Sequence, residues 1–135
     1  MKYSFEILEK AIGKQRPRFN TKTRTTYTPQ RTKDFEELVR WGFINKYNIE
    51  QEASYNPFKA KIIAIYRPPV KTSKKRLKEI INTPYIKKPD SDNIAKAILD
   101  SLNGLAYKDD NQITELTVIK KYGEENKILI ELEEI

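Results

Sequence analysis

The chain contains no cysteine and no histidine. That removes disulfides, thiol nucleophiles, zinc fingers and every mechanism that needs an imidazole base or ligand, so any metal it holds is held by oxygen. Long apolar runs are missing as well. The longest strongly apolar stretch, Ile62 to Tyr66, is far too short to cross a bilayer, and the N-terminal MKYSFEILEK lacks the apolar core of a signal peptide. A soluble, cytoplasmic protein without membrane contact is expected. Aspartate, finally, is scarce: six against thirteen glutamates. Five of the six (Asp90, Asp92, Asp100, Asp109, Asp110) fall in one segment, KPDSDNIAKAILDSLNGLAYKDDN, Lys88 to Asn111, which holds no glutamate. The short carboxylate carries its oxygens close to the backbone and therefore in a well-defined place, so this segment asks for placed negative charge.

What is abundant is positive charge. The net charge of +7 is unevenly spread: residues 1–89 carry 21 Lys/Arg against 8 acids, and residues 90–135 carry 5 against 11. A polyanionic partner for the first part is the natural inference, with a merely solvated basic protein as the alternative. At 135 residues the chain has room for one ordinary hydrophobic core, and a single domain over 1–135 is expected.

Alternating Tyr3, Phe5 and Ile7 predict a short strand. The segment from Gly13 to Gln30 is poor in apolar residues and interleaves Lys14, Arg16, Arg18, Lys22 and Arg24 with Phe19 and Tyr27. It reads equally as a solvated linker or as an arm that contacts phosphates and offers aromatics for stacking. Thr28-Pro29 starts a helix ending near Asn45, with Phe35, Leu38, Val39, Gly42 and Phe43 as its core stripe and Trp41 off it. Phe58 to Tyr66 reads as a strand, closed by Arg67-Pro68-Pro69. Ser73 caps a short helix reaching Asn82, within the most basic stretch of the chain (Lys71, Lys74, Lys75, Arg76, Lys78, Lys87, Lys88). Ile113 to Tyr122 and Lys127 to Leu132 read as two strands joined by the GEEN turn. The resulting order, β-α-β-(α)-α-β-β, is an α+β layout: one mixed sheet with two or three helices packed on it.

A helix capped by Asp92 and running to about Asn103 sorts its residues by angle. With Asp92 at zero, Asn103 falls near 20°, Lys96 near 40°, Asp100 near 80° and Asn93 near 100°, by the ~100° helical step. Ala97, Ile94, Ile98, Leu102, Ala95 and Leu99 take the remaining face. One side is therefore buried and the other displays Asp92, Lys96 and Asp100, with Asp90 just ahead. The chain turns at Asn103-Gly104 and returns to Asp109-Asp110; whether either acid reaches Asp90 and Asp92 depends on how the next strand crosses the helix.

Convergent carboxylates repel one another unless a cation offsets them, and hard divalent ions prefer such oxygen ligands while leaving positions for phosphate and water. Phosphodiester hydrolysis is the chemistry this implies, with Lys96 placed to stabilise a phosphate oxygen or the attacking water. The competing reading is a capped amphipathic helix with an Asp92–Lys96–Asp100 surface ladder and an Asp-Asp-Asn turn. An EF-hand is excluded, because Ile94 stands where the third ligand belongs. The acid-x-lysine pair of restriction-type nucleases is also missing, since Glu115 is followed by Leu116 and Thr117.

With KPDSDN (Lys88 to Asn93), the helix through Lys96 to Asp100, LNGLAYKDDNQI (Leu102 to Ile113), the Gly13-Lys14-x-Arg16-Pro17-Arg18 arm and the Tyr27-Thr28-Pro29 helix start, the chain resembles the RusA family of Holliday-junction endonucleases over nearly its whole length. The resemblance implies a Mg²⁺-dependent homodimer, with Mn²⁺ as a substitute ion, that binds four-way DNA junctions and resolves them by paired symmetric nicks in recombination and repair. It maps the metal-binding aspartates onto Asp90, Asp92 and Asp110, and the catalytic-site lysine onto Lys96. Asp100 is shared and is assigned a supporting role behind the ligands. Arg16, Arg18, Lys74, Lys75, Arg76, Lys87 and Lys88 are the expected DNA-binding residues. In some members a basic residue directly precedes the first aspartate; here Pro89 stands there. A junction-binding protein of the same fold that has lost cleavage is the alternative reading.

Overall fold

The computed structural model describes residues 1–47 and 52–135. Its main sheet has four strands, β1 (Lys2–Ile7), β4 (Phe58–Tyr66), β5 (Ile113–Tyr122) and β6 (Lys127–Glu134), in the order β1-β6-β4-β5. A ribbon of β2 (Arg18–Asn20) and β3 (Thr25–Tyr27) stands apart from it. Strand β6 runs antiparallel to both β1 and β4, and β4 is parallel to β5. A parallel neighbour needs a crossover. Here that crossover carries α2 (Lys74–Ile80) and α3 (Ser91–Ser101), while α1 (Gln30–Lys46) links β1 to β4. The result is a single α+β domain with one mixed sheet.

Period-two burial decides which sheet face is covered. Along β4, Phe58, Ala60, Ile62, Ala64 and Tyr66 are buried and the intervening residues are not, and β1 and β6 match it with Tyr3, Phe5, Ile7 and Ile128, Ile130, Leu132. Helix α1 adds Phe35, Val39 and Phe43 to this core, and α3 adds Ile94, Ala95, Ala97, Ile98 and Leu99. Leu38 is 44% exposed and departs from the expected stripe, whose core side passes through Thr32, Phe35, Val39 and Phe43 instead. Trp41 is exposed, as its position off the stripe requires.

Three local expectations shift. Pro29 occupies the N-cap of α1 in place of Thr28, because the helix begins one residue later. Asp90, not Asp92, holds the N-cap of α3, and its side chain makes no capping bond; Asp92 lies in the first turn. Strands β5 and β6 are not paired as a hairpin: β4 is inserted between them. The GEEN segment instead wraps the end of β4, where Gly123 N donates to Tyr66 O (3.0 Å) and Arg67 N donates to Asn126 Oδ1 (2.9 Å). Those two bonds satisfy the terminal groups of a central strand that a hairpin would have left to solvent.

That wrap leaves no room for a side chain at Gly123, since a Cβ there would stand 2.3 Å from Cγ2 of Ile65. Gly123→Ala should therefore destabilise the fold by about 1–3 kcal/mol, the usual cost of forcing a methyl into a filled space. The denaturant midpoint at unchanged m-value checks this, and an unshifted midpoint would show that the turn has slack.

Candidate active site

Six of the eleven residues of α3 are buried, so its orientation is dictated by the core and its polar face is held in one place. Its far end is fixed by two further bonds. The Tyr107 hydroxyl, wholly buried, donates to Leu99 O (2.6 Å), and Arg40 Nη1 of α1 donates to Ser101 O (3.0 Å). Carbonyls of the last helical turn thus receive a phenol and a cation, which also complements the helix dipole. Burial, followed by the charges of Asp110, Asp100 and Asp109, pushes the Tyr107 phenol far up, so it keeps its proton and serves as a strut.

The near end is set by the loops that reach it. Gly13 lies against Pro89 and Asn93, where a Cβ would approach each of their Cβ atoms to 3.0 Å, and Lys14 N donates to Asn93 O (3.0 Å). The basic arm therefore departs from the first turn of α3, beside Asp90 and Asp92. Both aspartates are exposed, and among the described residues neither forms a salt bridge. Lys96 is exposed on the same helix and also forms none, so the Asp92–Lys96–Asp100 surface ladder is not made as ion pairs.

Asp100 is turned elsewhere. The Lys14 ammonium sits between Glu36 of α1 and Asp100 of α3, 3.6 Å from Asp100 Oδ2. Asp100 in turn faces Asp110, which donates a hydrogen bond to it when protonated. Asp109 is used locally: it caps the 3₁₀ turn Asp110–Gln112, accepting from Asn111 N (3.3 Å) while its own N–H donates to Gln112 Oε1 (2.9 Å). Gln112 is itself anchored, its Nε2 donating to Ser54 O and Asn56 O (2.9 and 2.8 Å).

The acidic set is therefore divided. Asp90 and Asp92 stand at the start of α3 and Asp110, with Asp100, at its end, about 12 Å along the axis from Asp92 to Asp100 by the 1.5 Å rise. Among the described residues no three acidic side chains are grouped to hold a metal ion within one chain. The donor chemistry nonetheless suits a cation, since exposed carboxylates without cationic partners face one end and a proton-sharing pair occupies the other. The expected DNA-binding residues Arg16, Arg18, Lys74, Lys75, Arg76, Lys87 and Lys88 are all exposed. On the ribbon, Phe19 and Tyr27 are 59% and 45% exposed. Lys74 to Arg76 form the first turn of α2, which Ser73 caps by accepting from Arg76 N (3.1 Å).

Two contacts escaped the sequence. Lys14 was visible only as one cation of the arm. Lys120 on β5 continues the side of Leu116 and Val118, in register with buried Ala64, and a lysine continuing that core-side alternation was the one signal available.

The Asp100–Asp110 pair makes a testable consequence. The hydrogen bond that protonated Asp110 donates to Asp100, then burial, then the charges of Asp100 and Asp109, raise the Asp110 carboxyl from 3.8 to about 6. The folded chain thus holds a proton that the unfolded chain has released, so this group's contribution is full below pH 3.8 and is lost as pH rises to about 6. Asp110→Asn mimics the protonated pair without titrating. It should remove that fall in melting temperature and, at pH 7, melt above the unaltered protein; parallel curves would show that the pair carries no strain.

A family model described as "Endodeoxyribonuclease RusA" matches residues 10–133, nearly the whole domain including the arm, α3 and the paired aspartates. A Bacillus subtilis (strain 168) protein, "Uncharacterized protein YqaN", is 37% identical over 78 residues, which is 54% of this chain and 55% of that protein. The chain thus spans about half the length of this curated relative. Covering nearly the whole chain, the family match is decisive: the chain belongs to the RusA endodeoxyribonuclease family.

Proposed function

We propose that this protein is a Mg²⁺-dependent endodeoxyribonuclease that works as a homodimer on four-way DNA junctions, with Mn²⁺ as a substitute ion, and resolves them by paired symmetric nicks in recombination and repair. The observation that carries this reading is the division of the acidic set along α3 in a chain of this family. Asp90 and Asp92 serve one cation site, and Asp110 of a second copy completes it. A four-way junction has approximate two-fold symmetry, so an isologous dimer with two such sites addresses equivalent strands together.

The chain's own groups divide the work. The arm with Arg16 and Arg18, together with Lys74, Lys75, Arg76, Lys87 and Lys88, neutralises backbone phosphates and sets affinity, and Phe19 and Tyr27 offer planes for unstacked bases. Lys96 places a cation beside the acids for charge that develops on the phosphate. Asp100 and Lys14 hold Asp110 from behind. A divalent ion, when bound by Asp90, Asp92 and Asp110, supplies Lewis acidity toward phosphate and water, which a chain without histidine needs.

Asp90→Asn, Asp92→Asn and Asp110→Asn should each abolish Mg²⁺-dependent cleavage while junction affinity stays equal or rises, because a negative group leaves a phosphate-binding surface. Asp109→Asn should retain activity. Mixing inactive Asp90→Asn with inactive Asp110→Asn chains then tests assembly: sites built across two copies recover one working site per mixed dimer and nick a single strand. Sites built within one chain recover nothing. Unaltered cleavage by the single variants would leave these aspartates as surface residues of the helix and turn and would remove them from the nuclease site, whereas junction binding without any cleavage by the unaltered protein would favour the silent binder.

A further inference from the structure

The segment that delivers Asp90 to α3 is not secured by the helix itself, because the Asp90 side chain makes no capping bond. It is secured from the sheet. Residues 82–85 lie along the outer edge of β5, with Asn82 N donating to Tyr122 O (2.8 Å), Tyr122 N to Thr83 O (3.0 Å) and Tyr85 N to Lys120 O (3.0 Å). Tyr85 stacks on buried Tyr66 with ring centroids 4.0 Å apart and meets Tyr122 edge-on. Beyond Tyr85 no backbone ladder continues among the described residues, and there one side chain takes over. Lys120 Nζ donates to Lys87 O and to Pro89 O, each at 2.7 Å, while sitting 5.5 Å from the centre of the Tyr85 ring.

We propose that Lys120 is a positioning residue for the acidic start of α3, clamping the carbonyls of residues 87 and 89 so that Asp90 and Asp92 present their carboxylates in one place. The inference rests on the reading of those aspartates as cation ligands. Its physical basis is geometric. Asp90 has one methylene between backbone and carboxylate, so a shift of the Pro89–Asp90 backbone passes undiminished to the oxygens. A charge-assisted donor to two carbonyls flanking a single residue fixes both the position and the direction of that backbone. The tyrosine ring under the ammonium holds the lysine's own rotamer and adds a cation–π contact.

Lys120→Met keeps the aliphatic stem over Tyr85 and removes both bonds. It should raise amide hydrogen exchange selectively over residues 86–93, and lower both Mn²⁺ affinity and the single-turnover rate on a bound junction by roughly 10- to 100-fold, the range for losing a group that orients metal ligands. Junction affinity in Ca²⁺ should be unchanged. Lys120→Arg, which keeps charge and donors, should recover part of the protection and part of the Mn²⁺ affinity, and it stands in should the methionine variant fold poorly. Unchanged exchange over 86–93 in a folded Lys120→Met variant overturns the clamp. Increased exchange with undiminished Mn²⁺ affinity overturns its role in positioning the acids. Lost junction affinity with normal exchange makes Lys120 a phosphate contact instead, and overturns it too. Failure of the underlying reading is seen separately, as an Asp90→Asn chain that binds Mn²⁺ like the unaltered one; the exchange experiment then still decides whether Lys120 holds the segment.

Discussion

The burial of one side of α3 is the constraint on which the rest depends. Ile94, Ala95, Ala97, Ile98 and Leu99 are taken by the core between α1 and the sheet, which leaves the helix no freedom to rotate about its axis. Burying those five side chains outweighs any preference of the polar face, since each large apolar residue contributes about 1.5–3 kcal/mol while an exposed ion pair contributes about 0–1. The carboxylates are therefore placed by hydrophobic packing and only refined by electrostatics. Two struts then act at the ends: Tyr107 and Arg40 on the terminal carbonyls, and the Gly13–Lys14 segment against the first turn.

Negative charge so held has to be tolerated, and the fold tolerates it unequally. At the far end Asp100 and Asp110 face each other beside Lys14, where like charge is offset by a fixed ammonium and, below pH about 6, by a proton on Asp110. At the near end Asp90 and Asp92 are left in solvent without cationic partners among the described residues, ringed by the arm and by Lys87 and Lys88. A surface built only for solubility would pair Asp92 with Lys96 one turn along. That pairing is not made, which leaves both carboxylates available for the divalent ion of the proposed function.

Much of this was legible in the sequence because it follows from local periodicity. The buried face of α3, the limits of the strand Phe58–Tyr66 and the Ser73 cap all emerge from spacing and residue type. What was not legible depends on strand order. Strands β5 and β6, four residues apart, are separated in space by β4, a choice made by β4's fully apolar inner face and invisible in the turn between them. The same crossover carries Asp110 to the end of α3 and not its start, so the register of the acids followed topology. Leu38 fell outside the core because tertiary neighbours, not pattern, decided it, while the arm's ribbon is a local hairpin turned by Asn20, whose Oδ1 accepts from Lys22 N and Thr23 N. Lys120 is the clearest case, a charged residue continuing the core-side alternation of a strand, whose meaning lies in two carbonyls some thirty residues earlier.

This acidic helix, in its cationic setting, is proposed to cut branched DNA with a divalent ion. The most direct measurement is single-turnover cleavage of a synthetic four-way junction beside a linear duplex of the same sequence, with Mg²⁺ and with EDTA. Paired nicks at symmetric positions in the junction are expected with Mg²⁺, none in EDTA, and an intact duplex under both conditions. Equal cutting of junction and duplex, or cleavage that persists in EDTA, would contradict it.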